Sequence, residues 1–403
     1  MPVFVYTICY KCIKNKNRKI IVCKTQNKLD YSHGLWQDES NQEVCPETKF
    51  NKMRKDANIM SRFKFTAGPW NCNEGVEAFG PGVRPTVDME AKFKKFAEIG
   101  MSGVQFHDDD AVPDMNNMTE KQIIDYAKDM KATLDKYGLV AEFVAPRLWM
   151  DPHTTDGGFT SNSKEDYEFA MWRAHRSIDI ANAMGAKNIV LWLAREGTLC
   201  AESKDPVQKI GQLIDSIDDM LTYDDKIKVL IESKPNEPID RSYCGTIGHV
   251  MAVSAASKDP KRVGAVLESA HAILAGLDPA HEMAFALKFG KLGSVHLNDQ
   301  NGCRYDQDKS FGVESLRGAF NQIKVLCDNN YGANGEMVGI DVKAMRTQKP
   351  DDQYRHLENS IRIAKELEKK VERFDKEFQA QCIAERNYEK LEMYVMELLM
   401  GIV

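Results

Sequence analysis

The sequence predicts an α/β protein: a (β/α)8 barrel followed by a C-terminal helical arm. Three observations carry that expectation. Eight short apolar runs, rich in β-branched residues, recur from Phe63 onward, and runs of this kind suit a parallel sheet covered on both faces. Each is followed by a stretch of helical periodicity, and eight strand–helix repeats are the barrel count. An open doubly wound sheet would also alternate, but no Gly-x-Gly-x-x-Gly turn follows the first run to favour it.

The predicted strands are Phe63–Gly68, Val104–His107, Ala141–Ala145, Ile189–Leu193, Val229–Lys234, Val263–Glu268, Ser294–Asn298 and Val338–Lys343. After the first, Thr86 precedes a run with Met89, Phe93, Phe96 and Ala97 on one face, stopped by Gly100. Thr119 and Gln122 form a capping box ahead of Ile123, Ala127, Met130 and Leu134, with Gly138 at the end. Asp166 to Met184 aligns Ala170, Ala174, Ile178 and Ala181 on one stripe before Gly185. Further helices are expected over 206–222, 246–257, 279–290, 313–327 and about 351–371.

The chain divides into three parts. Residues 1–59 are rich in Lys, Asn and Cys, lack periodicity, and read as a poorly ordered extension, with Met60 a possible natural start. Cys9, Cys12, Cys23 and Cys45 supply thiolates for a zinc site, although the second pair has the wrong spacing for a finger or ribbon. Residues 60–370 form the catalytic barrel. Residues 371–403 form a helical arm whose Val395, Met396, Leu398 and Leu399 need covering, which points to a neighbouring subunit.

Composition narrows the function. A net charge of −6 gives no reason to expect nucleic acid or an anionic membrane as partner. No apolar run approaches the ~18 residues of a membrane span, and the short run from Val3 to Tyr10 lacks the basic flank of a signal peptide. Ten thinly spread cysteines suit reduced thiols in the cytoplasm.

The residues able to do chemistry gather at the C-terminal ends of the predicted strands, where barrel active sites form. They are His107 with Asp108, Asp109 and Asp110; Glu232 and Lys234; Glu268 and His271; His296; Asp306 and Asp308; and Asp341 with Lys343. Charged groups closing buried strands are costly unless something compensates them. Carboxylates and imidazoles from separate strands are ligands for divalent metal, and the excess of oxygen favours magnesium or manganese over zinc. Four or more carboxylates cannot share a small site ionised without cations, so two metals are expected. Each feature alone has a plainer reading: Asp306-x-Asp308 as a solvated turn, Glu268 and His271 as a charge pair starting a helix.

Together the motifs resemble xylose isomerase, from Phe63 to about Lys370. They are Phe106-His-Asp-Asp-Asp110, Asp156-Gly-Gly-Phe-Thr160, Trp192 with Arg195-Glu-Gly197, and Glu232-x-Lys-Pro-Asn-Glu-Pro238. Glu268-x-x-His271, Gln300-Asn-Gly302 and Tyr305-Asp-Gln-Asp308 before Phe311-Gly312 complete the set. The resemblance implies a two-metal, homo-oligomeric (dimer or tetramer) aldose–ketose isomerase that binds a small sugar. Glu232, Glu268, His296 and Asp341 would hold the first metal. Glu268 as bridge, with His271, Asp306 and Asp308, would hold the second. Lys234 would hydrogen-bond the carbonyl oxygen, and His107, oriented by Asp110, would open the sugar ring. Trp70 and Trp192 match aromatic walls, Trp149 stands where the family usually has Phe, and Phe79 matches an aromatic lent by a neighbouring subunit.

The departures bear on the sugar. His296 replaces an aspartate within Leu297-Asn-x-Gln-Asn-Gly302, which shifts metal preference toward manganese or cobalt and is similar to L-rhamnose isomerase and ketose 3-epimerases. Arg147 stands for a small amide, Asp299 for a glycine, and the segment after Asp341 matches only in part. The expected reaction is D-xylose to D-xylulose by a C1–C2 hydride shift. The alternatives are an L-rhamnose isomerase-like or epimerase activity, and a non-catalytic metal- or sugar-binding barrel. Asp341 is short for the second base an epimerase needs, and a mere binder has no use for a ring-opening pair.

Overall fold

Eight parallel strands close on themselves in the computed structural model, which describes residues 61–403. They are β1 (Phe65–Ala67), β2 (Gly103–His107), β3 (Val140–Ala145), β4 (Asn188–Trp192), β5 (Lys228–Glu232), β6 (Val263–Glu268), β7 (Leu292–His296) and β8 (Met337–Gly339). Each pairs with its sequence neighbours, and β8 returns to β1. The order is that of a (β/α)8 barrel, as the alternation of patterns predicts. The expected extension at 1–59, its zinc-type cysteines and the start at Met60 lie outside the described residues. The six cysteines within them, Cys72, Cys200, Cys244, Cys303, Cys327 and Cys382, are free thiols.

The helices follow their capping signals. α1 (Met89–Glu98) starts at Asp88, whose carboxylate accepts from Ala91 N, and not at Thr86. α2 (Glu120–Lys136) has the Thr119–Gln122 capping box. α3 (Lys164–Met184) is capped by Ser163, begins two residues before the predicted start, and ends at Gly185 in the left-handed conformation. α4 (Pro206–Tyr223), α5 (Ile247–Ala256), α6 (Pro279–Lys288), α7 (Leu316–Asp328) and α8 (Arg355–Glu372) complete the ring. Their apolar stripes pack against the outer faces of the strands, where Phe93, Phe96, Ile123, Ile178 and Ile217 are fully buried.

Inside the barrel, Phe143, Ala145, Val190, Leu230 and Val266 form a smaller apolar cluster. Above it the strands end earlier than predicted. β5 stops at Glu232, β7 at His296 and β8 at Gly339, so Lys234, Asn298, Asp341 and Lys343 sit in the loops beyond. His271 lies in a short helix, Ser269–Leu274, one turn past Glu268, and i, i+3 spacing turns both side chains to one side.

The loops at this end are tied down. Glu196 accepts hydrogen bonds from the backbone of Gly158, Phe159 and Thr160, fixing the loop after β3. Gly197 and Thr198 pair antiparallel with Arg241 and Ser242. A Cβ on Gly197 would stand 1.9 Å from the carbonyl oxygen of Arg241, so only glycine permits that crossing.

Beyond α8 the chain forms α9 (Lys376–Glu385) and α10 (Tyr388–Met400). Leu398 is buried, and Leu391, Tyr394, Val395 and Leu399 pack on the barrel's own core. The apolar arm expected to need covering is thus covered in part by its own chain, while Met393, Met396, Met400, Ile402 and Val403 remain exposed.

Candidate metal centre

The β-barrel places every side chain at a strand's C-terminal end within reach of its neighbours, and seven sequence-predicted ligands converge there. Three groups of atoms lie close enough to hold an ion: Glu232, Glu268 and His271; Glu268, His296 and Asp341; and Glu268, Asp306 and Asp308. Glu268 belongs to all three. His271 Nε2 is 3.3 Å from Glu268 Oε1 and 3.1 Å from Asp306 Oδ2, and its Nδ1 is 3.4 Å from Glu232 Oε1. His296 Nδ1 stands 3.7, 3.5 and 3.6 Å from Glu232, Glu268 and Asp341 respectively. The spacing brings Asp306-x-Asp308 out of the solvated-turn reading and into the cluster.

These groups conflict electrostatically. Burial, with Glu268 adding to it, pushes the Glu232 carboxyl up to about 8. Burial, with Asp306 and Glu268 alongside, raises Asp308 well above the usual carboxylate range. Burial works against the His296 imidazolium, yet the Glu232 charge prevails and holds it up to about 10. Asp306 goes the other way: burial opposes ionisation, but His271 and Lys234 beside it keep it below its ordinary value. His271 Nδ1, both nitrogens of His296 and Asp306 Oδ1 are buried without a hydrogen-bond partner. Buried polar atoms are rarely left so, and divalent cations would replace the contested protons and take lone pairs from the orphaned atoms that face them. The residues therefore fit a metal group.

Neighbouring side chains hold the ligands in place. Asp341 Oδ1 accepts from Trp70 Nε1 at 3.0 Å and Asn71 Nδ2 at 2.7 Å. Asn298 Nδ2 donates to Glu268 at 2.9 Å and to Asp308 at 3.2 Å. Lys343 Nζ is 3.2 Å from Asp308. Lys234 Nζ pairs with Asp306 at 2.9 Å, lies 3.4 Å from Glu237, and sits 5.0 Å above the Trp192 ring.

The three aspartates after His107 divide into separate roles, and none joins the ligand groups. Asp108 is fully buried against Arg173 at 2.7 Å, binding the end of β2 to α3. Asp109 accepts from Arg147 and Arg173. Asp110 Oδ2 lies 2.8 Å from His107 Nδ1, and Arg147 Nη2 reaches the same nitrogen at 2.8 Å.

The seven candidate ligands, His107, Lys234, Trp70, Trp149 and Trp192 line one cavity of about 480 Å³. Trp70 meets the His107 ring at a 39° tilt with centroids 4.3 Å apart, and Trp149 meets Trp192 edge-on at 4.5 Å. Phe79 is not brought into this cavity; it is 97% exposed on the loop after β1. Sequence reasoning missed Asn71, Asn298 and Glu237 as ligand supports. Asn298 and Glu237 stood within quoted motifs, whereas nothing around Asn71 signals its reach to Asp341.

A family model described as xylose isomerase-like TIM barrel matches residues 93–356. Among solved structures, D-psicose 3-epimerase from Clostridium cellulolyticum H10 is 12% identical with a TM-score of 0.57, covering 76% of this chain and 99% of its own. A D-tagatose 3-epimerase-like protein is 16% identical with a TM-score of 0.56 over 76% and 99%. An AP endonuclease of family 2 from Brucella melitensis is 15% identical with a TM-score of 0.53 over 72% and 96%. At these identities the structural likenesses show the fold. With eight strands closing a barrel and the family pattern running from α1 into α8, the chain belongs to the xylose isomerase-like TIM-barrel family.

Proposed function

We propose that this protein is a metal-dependent aldose–ketose isomerase acting on a small sugar, with D-xylose and D-xylulose the first pair to test. One observation carries the reading: Glu268 is shared by three ligand groups in the same cavity onto which Lys234 and His107 open. Glu232, Glu268, His296 and Asp341 would hold one divalent ion (Mn, Mg or Co). Glu268, His271, Asp306 and Asp308 would hold the other. When bound, the ions supply Lewis acidity toward the sugar's oxygens during a C1–C2 hydride shift.

The chain's own groups do the rest. His107, oriented by Asp110, moves a proton at the ring oxygen and so opens the ring. Lys234 donates to the carbonyl oxygen as negative charge grows on it; Asp306 beside it keeps the ammonium charged despite burial. Trp70, Trp149 and Trp192 wall the reacting carbons off from water. Phe79 would complete the pocket of a neighbouring subunit, in a cytoplasmic homo-oligomer to which the 371–403 arm contributes.

Ketose epimerisation is the second reading, favoured by the histidine at 296 and by the sugar 3-epimerases that share the fold. It requires two opposed bases. Asp341 is short, and its Oδ1 is held by Trp70 and Asn71, so isomerisation is preferred. A nucleic-acid substrate suits a chain of net charge −6 poorly. The test is incubation of metal-loaded protein with panels of aldoses and ketoses, resolving the products. Aldose-to-ketose turnover is expected; C3-epimerised ketoses alone, or no turnover with Mg, Mn and Co, would reject the isomerase assignment.

A further inference from the structure

Beneath the ligand cluster, Thr66 of β1, Gln105 of β2, Glu142 of β3 and Ser294 of β7 form a buried polar layer across the barrel interior. An irregularity in β3 creates it. Pairing between β2 and β3 runs from Val104–Ala141 directly to Gln105–Phe143, leaving Glu142 as the extra residue, and a bulge of this kind re-aims a side chain. The Glu142 carboxylate accepts from the hydroxyls of Thr66 and Ser294 and from Gln105 Nε2 at 3.0 Å. Gln105 Nε2 also donates to Thr66 Oγ1 at 3.2 Å. The amide nitrogen of Gln105 is thus committed to Glu142 and Thr66. The amide oxygen is left over: Gln105 Oε1 is buried with no hydrogen-bond partner.

His296 stands two residues beyond Ser294 on the same face of β7, one layer higher. Its Nδ1 faces Glu232, Glu268 and Asp341, and its Nε2, also buried, has no partner. The Cδ2 edge of the imidazole, next to Nε2, comes within 2.7 Å of the point where a Cβ on Gly339 would stand. Gln105 Nε2 comes within 2.3 Å of the same point. Glycine at 339 is what gives both side chains room, and in these two neighbouring side chains Gln105 Oε1 and His296 Nε2 are each buried without a partner.

We infer that Gln105 is the positioning residue of His296: its Oε1 accepts a hydrogen bond from Nε2–H, directly or through an internal water. Once an ion displaces the other proton, the Nδ1 lone pair is the one presented beside Glu232, Glu268 and Asp341. A ligating imidazole needs such a partner for its other nitrogen, whereas a carboxylate at 296 has no N–H to satisfy. The inference rests on the reading of these residues as a metal site.

The test is titration of Mn²⁺ into the metal-free full-length wild type, Gln105→Met, His296→Asp and the double variant, with thermal unfolding of each. Gln105→Met is expected to weaken Mn²⁺ binding about 10- to 100-fold when His296 is present, and by less than about threefold when aspartate replaces it. A merely structural Gln105 would lower the melting temperature alike in both backgrounds and show no such coupling. Equal losses of affinity in both backgrounds, or none beside His296, would overturn the inference. Wild type that binds no Mn²⁺ would overturn both it and the metal site. Should Gln105→Met fail to fold, long-range ¹H–¹⁵N spectra of wild type labelled with ¹⁵N-histidine and loaded with Mg²⁺ decide. Nε2-protonated His296 is expected, and an Nδ1-protonated ring would overturn the assignment.

Discussion

Glu268 is the residue on which the proposed metal site depends, because each of the three candidate ligand groups includes it. Replacing its carboxylate with an amide, Glu268→Gln, is expected to abolish binding of both ions in a Mn²⁺ titration; loss of one ion alone would refute a bridging role. The buried groups also fix a pH dependence. Without metal, Glu232 keeps its proton up to about pH 8 and His296 up to about 10. Both values are raised above the ordinary ones, so the stability that these protons lend the metal-free protein is full at low pH and lost as pH rises through them. A metal ion must displace the same protons. Affinity should therefore climb between about pH 6 and 8, with protons released on binding, as calorimetry in two buffers of different ionisation enthalpy would measure. A pH-independent affinity with no proton release would contradict the account. Legibility at this scale was uneven. The carboxylates that converge at the strand ends were readable because charge at the end of an apolar strand is costly and therefore conspicuous. Asn71 and Gln105 were not, since an amide on a loop or inside a strand carries no such cost signal until its partners are in view.

Among the elements, the joint between β2 and α3 matters most to the site. Asp108 and Arg173 are both buried, joined by two hydrogen bonds of 2.7 and 2.8 Å, and the ion pair holds the turn that carries His107 and Asp110. Breaking a buried pair leaves an uncompensated charge, so Arg173→Met should cost about 3–5 kcal/mol in chemical denaturation. Ring-opening should weaken more than metal binding; unchanged stability would contradict the role. Strand existence and order were legible from apolar runs, whereas strand ends were not. β8 keeps only Val338 and Gly339 of the expected six residues, because beyond Gly339 the chain turns Asp341 toward Trp70 and Asn71 instead of continuing the ladder. The inward turn of Glu142 was equally hidden: strict alternation assigns its side chain to the outer face, and only the skipped pairing with β2 reverses it.

At the scale of the molecule, eight strand–helix repeats and the capping signals were enough to read the barrel, because each repeat buries its own apolar stripe. The C-terminal arm was read as helical for the same reason, but its partial packing on the barrel core depends on contacts distant in sequence, such as Phe320 with Phe374. The described fold from Ser61 to Val403 contains the whole ligand set, so deletion of residues 1–59 is expected to leave metal binding and turnover intact. An inactive but folded truncation would give that region a part in the site. The central claim is that the cavity moves a hydride between adjacent carbons of a sugar. It is tested most directly by supplying C2-deuterated D-xylose to the metal-loaded protein and locating the label in the ketose. Deuterium retained at C1 is the predicted result; loss of the label to solvent would show proton transfer through an enediol and contradict it.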